Sequence, residues 1–310
     1  MDDFPGVLLA CPACGRAVSQ QGSELHCSGC GRSYARDPLP RMLTEDYAEL
    51  LGGRSYTSSE SARWGIDDVA YWEAEYADSG EQVRMRERIR RSRPDAGLRT
   101  RPREQHIFRH IRPHLNGKVL LDVGCGNAQT VQVVCHPDDL GYTYVGVDLS
   151  LSALLMNQQM FRGFFVQASA TALPFQPETF DAILMLGTLH HLHDPCASLR
   201  QIMKLLKPGG LIGLHEVTYR RSHDSAGSTH NEQVSLDGML ATLSEACEIV
   251  DLKEEHSIVL HLVAGTVGER MRTSPGLTRV VLALDAVAGE LRHLHTALGP
   301  RAALIVARRT

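Results

Sequence analysis

The sequence predicts an α/β protein, a doubly wound parallel sheet with a small four-cysteine ribbon at its front. Three observations lead there. Residues 11–30, CPACGRAVSQQGSELHCSGC, hold two Cys-x-x-Cys pairs separated by 12 residues. Residues 118–126, KVLLDVGCG, run from a short apolar strand into two glycines one residue apart. A second apolar run, YTYVGVDLS (142–150), ends in Asp148, 22 residues after Gly126.

A chain of 310 residues, 43% hydrophobic and 22% charged, has room for a main core and a smaller companion domain. A formal net charge of −4 argues against a surface built as a whole for polyanions. No apolar run approaches the roughly 18 residues of a membrane span. The start, MDDFPGVLLA, is acidic where a secretory leader is basic. Cys125, Cys135, Cys196 and Cys247 are scattered, as suits a reducing compartment. The cytoplasm is the expected location, with no membrane partner.

The N-terminal cysteines form the first element. Cys11 and Cys14, and again Cys27 and Cys30, can each offer two thiolates from a tight turn, and Gly15 and Gly31 supply the permissive backbone after each pair. Four sulfurs complete a tetrahedron around Zn²⁺ and leave no open position, so the metal is structural. A redox pair or disulfides are the other uses of such cysteines, and the doubled spacing argues against both. The segment through RSYARDPLPRML resembles the short zinc ribbons at the front of some methyltransferases, and the zinc-ribbon activator subunit of RNA and protein methyltransferases.

Residues 41–104 follow as a lid or linker. DDVAYWEAEYA (67–77) is amphipathic and aromatic and predicts a helix. Val83–Arg103 carries nine arginines, interrupted by Pro94, Gly97 and Pro102. Such a run is a solvated segment or a strip for RNA, and it lacks interleaved aromatic residues for stacking on bases.

REQHIFRHIRPHL (103–115) predicts a helix leading into the strand at Val119–Leu121. Gly124 and Gly126 bracket Cys125 at the strand's end, where a ligand can approach the backbone closely. An acid at the tip of the second strand, Asp148, suits the two hydroxyls of a ribose docked over that turn. The turn is not that of a dinucleotide protein. Gln129 stands where the third glycine of G-x-G-x-x-G would be, and Asp122 precedes the first glycine by two residues. A carboxylate at Asp122 fits a ligand that carries a cation.

The segments DVGCG, VDLS, ALPF, FDAIL, LHHL and LKPGG, in this order over residues 105–218, resemble the class I S-adenosylmethionine-dependent methyltransferases. The resemblance implies a seven-stranded sheet of order 3-2-1-4-5-7-6 whose last strand is antiparallel. CEIVDLKEE (247–255) and RAALIVARR (301–309) would be the final pair. The domains are then a ribbon at 1–40, the lid or linker at 41–104, and the catalytic domain at 105–310 with a helical insertion at about 256–298.

The same resemblance assigns roles. Asp122, Gly124, Cys125 and Gly126 line the methionine part of S-adenosylmethionine, and Asp148 takes the ribose hydroxyls with Leu149 against the adenine. Ser169 and Ala170 occupy the place of an acid–Ala pair that bonds the adenine amine, and the serine departs from the family. Leu186 and Gly187 end the fourth strand beside the sulfonium.

Methyl transfer needs a general base only where the acceptor must lose a proton. His190 and then His191 in LHHLHD are the candidates, directly after the fourth strand at the ligand end of the sheet; packing of that turn is the alternative use of these histidines. His193, His215, Glu216 and His230 are placed to border the acceptor. Irregular spacing argues against a metal site among the histidines. Apolar residues at helical spacing in 258–271 and 276–295 cover the sheet, cap an acceptor pocket or form a homodimer face. The expected reaction is methyl transfer to O, N or C of a small organic acceptor, as in specialised metabolite biosynthesis. The alternatives are an RNA base methyltransferase and a non-catalytic module that binds the cofactor and acts on a partner.

Overall fold

Strand β4 (Val119–Val123) begins the main sheet, and all but its first residue are buried. A strand covered on both faces reads as a continuous apolar run, which is why VLLDV shows no alternation. The computed structural model describes residues 9–44, 73, 76, 77, 102–218, 235–256 and 301–310. Helix α1 (Pro102–Ile111) precedes β4; it stops short of the expected 115 and tightens into a 3-10 turn at Arg112–His114, where Pro113 has no N–H to continue the ladder.

After β4 come α2 (Gln129–Val134), α3 (Pro137–Leu140), β5 (Thr143–Asp148), α4 (Leu151–Met160) and β6 (Phe164–Gln167). Then follow β7 (Phe180–Leu186), a 3-10 turn at Leu189–His191, α5 (Pro195–Met203), β8 (Leu206–Thr218), α6 (Leu236–Ser244), β9 (Cys247–His256) and β10 (Arg301–Arg309). Side-chain caps start four of these helices, His136 Nδ1 accepting the Asp138 amide at 3.3 Å before α3. Ser150 Oγ accepts from the Ala153 amide, Asp194 Oδ1 from Ala197 and Ser235 Oγ from Gly238. Ser150 therefore belongs to a helix start, and the expected strand 142–150 ends at Asp148.

The sheet order is β6-β5-β4-β7-β8-β10-β9, with β10 antiparallel to both neighbours. In order of appearance this is the expected 3-2-1-4-5-7-6. Two apolar layers cover the two faces. One contains Ile107, Phe108, Tyr144, Phe161 and Phe165. The other contains Leu199, Ile202, Met239 and Leu243 and is continuous with the ribbon through Cys11, Tyr34, Met42 and Phe175. Packing of α1 on β8 is close enough that a Cβ at Gly213 would lie 2.4 Å from Ile107 Cγ2.

The ribbon is a three-stranded antiparallel sheet of β1 (Val18–Gln21), β2 (Glu24–Cys27) and β3 (Ser33–Ala35). It attaches to the main sheet beside β6. Arg41 bridges Gln167 in parallel, and Leu9 bridges Phe175 antiparallel. Of the expected helix over 67–77, Glu73, Tyr76 and Ala77 are described and helical. The side chains of the arginine run, His223 and His230, and the insertion at 258–295 lie outside the described residues. No helix among the described residues is long and apolar enough to cross a membrane.

Candidate functional site

The site lies where the parallel strands β4, β5 and β7 end. Gly124 adopts φ +69°, and a Cβ there would collide with Thr188 Oγ1 at 2.4 Å. Thr188 in turn donates to the Val123 carbonyl at 3.0 Å, locking the turn after β7 against the turn after β4. The Gly124 and Cys125 amides both donate to Val147 O, at 2.8 and 3.0 Å. The glycine turn is thus anchored to β5, the strand that carries Asp148. Cys125 is buried with its thiol toward Gly146, whose added Cβ would stand 3.0 Å from Cys125 Sγ. Burial, with the charges of Asp148 and Asp122, pushes that thiol far up, so it stays protonated.

Asp148 is half-buried and accepts the Gly126 amide on one oxygen and the Ser150 amide on the other, each at 2.8 Å. Burial raises its pKa, the Ser150, Gly126 and Leu149 amides pull it back, and the charge of Glu73 raises it further. Each carboxylate oxygen keeps a second lone pair. The carboxylate therefore fits two ribose hydroxyls without giving up its hold on the glycine turn. Asp122 is 4% exposed and accepts the Tyr144 hydroxyl at 2.8 Å. Burial lifts its pKa to about 7, against the Tyr144 hydrogen bond and with a push from Asp148. A carboxyl poised there can meet a cationic ligand by losing its proton.

Three groups that the motifs do not mark complete this end of the sheet. Tyr76 covers the glycine turn so closely that a Cβ at Gly126 would be 2.7 Å from its hydroxyl. Glu73 takes the Ser150 hydroxyl at 2.6 Å and the Ser152 hydroxyl at 2.7 Å, tying its segment to the start of α4. Asn157 donates to Gly126 O at 2.8 Å from α4. The i, i+3 spacing of Glu73 and Tyr76 in an amphipathic stretch was the available signal for the first two.

After β5, Leu149 is half-buried and its carbonyl accepts from Gln167 Nε2 at 2.9 Å. Ser169 is 2% exposed, and its hydroxyl is engaged by its own turn, 2.8 Å from Thr171 Oγ1 and accepting the Thr171 amide at 3.2 Å. Ala170 beside it is half-buried. The serine hydroxyl thus ties the loop to itself through Thr171.

At the other end, β7 finishes at Leu186, and the Gly187 amide donates to the His215 carbonyl at 2.7 Å. His190 lies over Gly187, its Cε1 3.9 Å from where a Cβ would stand. Its Nδ1 meets Glu216 Oε1, while Glu216 Oε2 accepts the Leu189 amide at 2.8 Å. Glu216 is 2% exposed. The sequence suggests an acceptor contact for Glu216, but the structure turns its carboxylate onto His190, because both oxygens are enclosed under the 3-10 turn. With Nδ1–H given to the carboxylate, Nε2 keeps its lone pair and can accept a proton. The His191 ring packs on His190 with centroids 4.0 Å apart. His193 is exposed beyond them, and His215 is half-buried on β8.

The ribbon cysteines form the one metal-type cluster of three or more ligands found among the described residues. Their four sulfurs all lie within 4.8 Å of one another. The Cys11–Cys30 and Cys14–Cys27 pairs stand at 3.6 and 3.4 Å. A zinc tetrahedron with bonds of about 2.3 Å has edges of about 3.8 Å, so the four positions fit the ion. The two turns repeat one geometry. Gly15 N bonds to Cys11 O and Gly31 N to Cys27 O, at 2.8 and 2.9 Å, with φ of +72° and +76° at the glycines.

Residues 121–214 match the family described as "Methyltransferase domain". The ubiquinone biosynthesis O-methyltransferase of Pseudomonas fluorescens (strain SBW25) is 35% identical over 107 residues, 33% of this chain and 45% of that protein. The 27-O-demethylrifamycin SV methyltransferase of Amycolatopsis mediterranei (strain S699) is 30% identical over 105 residues, 32% of this chain and 38% of that one. The chain spans less than half the length of these curated relatives. The phosphoethanolamine N-methyltransferase 2 of Haemonchus contortus, solved with S-adenosyl-L-methionine, shares the fold at TM-score 0.51 and 13% identity, covering 77% of this chain and 60% of that one. Residues 121–214 thus match a methyltransferase domain, set in a seven-stranded sheet with an antiparallel strand near its edge and preceded by a four-cysteine ribbon.

Proposed function

We propose that this chain methylates a small organic acceptor at a position that loses a proton, with His190 as general base and Glu216 as the carboxylate that orients it. The carrying observation is the hydrogen bond between Glu216, 2% exposed, and His190 Nδ1 at the mouth of the site. A structural histidine that only closed a turn would not need a buried carboxylate to fix its tautomer. The relatives named for ubiquinone biosynthesis and for a rifamycin support a small acceptor.

S-adenosylmethionine, when bound, supplies an electrophilic methyl on a sulfonium. The chain's own residues do the rest. Asp148 and Leu149 hold the nucleoside end. Asp122, Gly124, Cys125 and Gly126 shape the amino-acid end. Leu186 and Gly187 leave the sulfonium side open towards His190. Tyr76 excludes water from the glycine turn. His190 Nε2 takes the acceptor's proton as the acceptor attacks, which is the step where a positioned base contributes about 10²–10⁴ in rate. His191, His193 and His215 border the acceptor on the same rim. Cys11, Cys14, Cys27 and Cys30 would hold Zn²⁺ as a structural ion with no open position.

Native mass spectrometry of the protein as purified from cells, with small molecules released and identified, tests this reading. S-adenosylhomocysteine with a co-purifying metabolite supports it. RNA fragments in place of a metabolite overturn the choice of acceptor, and failure to bind S-adenosylhomocysteine in any preparation overturns the reaction.

A further inference from the structure

We propose that Gln167 is a positioning residue for the methyl donor, through which the four-cysteine ribbon sets the shape of the adenine end of the cofactor site. The inference rests on the cofactor reading above and extends it to a part of the chain that reading does not use.

The ribbon does more than sit beside the sheet. Its tail, Pro40–Met42, continues the sheet beyond β6. Gln167 N donates to Pro40 O at 2.9 Å and Met42 N donates to Gln167 O at 2.8 Å. The same tail is bonded back to the ribbon, since Arg41 N donates to Ala35 O at 2.8 Å at the end of β3. Met42, wholly buried, shares one apolar cluster with Cys11, Cys27 and Tyr34. Covering the edge of a sheet is a general need and would be met by backbone pairing alone.

The side chain of Gln167 goes further. It is 2% exposed and bonded at both ends, accepting from Arg41 Nε at Oε1 and donating from Nε2 to Leu149 O, each at 2.9 Å. Leu149 follows Asp148, and Gln167 pairs with Asp148 in the β5–β6 register. One amide therefore joins the ribbon's tail to the backbone that carries the ribose and adenine contacts.

A second contact closes the frame. The Ala10 amide, one residue before the first cysteine, donates to Pro174 O at 2.8 Å, and Leu9 bridges Phe175. The loop 168–173, with Ser169 and Ala170, is thus suspended between two ribbon contacts, at Gln167 and at Pro174. Because the Ser169 hydroxyl bonds within its own turn, the loop presents its edge as a rigid unit. Where that unit stands relative to Leu149 is set by the ribbon on both sides.

The test uses the full chain and calorimetric binding of two probes, S-adenosylhomocysteine and its inosine analogue, whose base has an inverted hydrogen-bond pattern on the edge facing the loop. Variants are Gln167→Leu and Arg41→Ala; the exposed Arg41 is the safer one for folding. Zinc content and far-ultraviolet circular dichroism are read alongside. The expected result for Gln167→Leu is a roughly tenfold weaker S-adenosylhomocysteine affinity with a smaller preference for adenine over hypoxanthine. For Arg41→Ala it is a roughly threefold loss in the same direction, with zinc content unchanged. Affinities within about twofold of wild type in both variants overturn the proposal while leaving the cofactor reading intact. Equal weakening for the two probes also overturns it, since a merely structural role would not select the base. A wild-type chain that binds neither probe overturns both readings.

Discussion

Glu216 on β8 holds His190 after β7 by Nδ1 and, with its other oxygen, the Leu189 amide at 2.8 Å. Two neighbouring strands thereby fix one imidazole over Gly187, where β7 ends. The sequence separates the partners by 26 residues, and the parallel pairing Leu186↔His215 brings them together.

Replacing His190 with Ala should lower kcat by about 10²-fold or more and leave S-adenosylhomocysteine affinity within about twofold, as expected for a group that acts only on the acceptor's proton. Glu216→Gln, which keeps the shape but can donate to Nδ1 and so impose the other tautomer, should lower kcat by about 10²-fold or more, as loss of the base does. Steady-state kinetics on an acceptor identified by co-purification provides the comparison. Full kcat in both variants places the base elsewhere.

Asp148→Ala removes the acceptor of the Gly126 and Ser150 amides and the group assigned to the ribose. Hydrogen bonds to a charged acceptor contribute about 1.5–3 kcal/mol each, so cofactor affinity should fall by roughly 10²-fold. Isothermal titration with S-adenosylhomocysteine measures it, and undiminished affinity removes the ribose assignment.

Asp122 makes the cofactor-free protein sensitive to pH. Burial holds its pKa at about 7, above the ordinary carboxylate value. Between about pH 4 and pH 7 the folded chain keeps a proton that the unfolded chain has released. Stability from this group therefore falls as pH rises through that window and is level above it. Three units of difference correspond to on the order of 4 kcal/mol. Melting temperatures at pH 5.5 and pH 8 should differ in wild type, and Asp122→Asn should reduce the difference. Unchanged pH dependence in the variant refutes the assignment.

Ala128 stands at the start of α2 with φ +48°, a backbone region costly for side chains. Ala128→Gly should be tolerated within about 1 kcal/mol, the relief of strain offsetting lost burial and added chain entropy. Ala128→Val should lose about 2–3 kcal/mol, because a branched Cβ cannot settle there. Chemical denaturation of the two variants checks the contrast, which a reversed order would contradict.

Mass spectrometry under native conditions should find one zinc per chain. Cys27→Ser, at a fully buried sulfur, should release the metal and lower the melting temperature by several degrees. A chain that melts at the same temperature with and without chelator shows that the four thiols hold no structural ion.

What was legible in the sequence was local or periodic. The knuckle glycines, the run VLLDVGCG and the acid that ends β5 are short patterns that can be read within a few residues of sequence. The sheet order was implied by the resemblance that the ordered segments carry, and the observed sheet has that order. Tertiary structure alone decided the rest. Glu216 could be read as an acceptor contact until the pairing of β7 with β8 buried it beneath His190. The bonds of the Ser169 hydroxyl to Thr171 in its own turn could not be read from the sequence. Gln167, Glu73 and Tyr76 carry no motif, since each acts through partners 18 to 126 residues away. A side chain's partner at such separation is set by how strands are ordered and edges covered, and no short stretch of sequence contains that information.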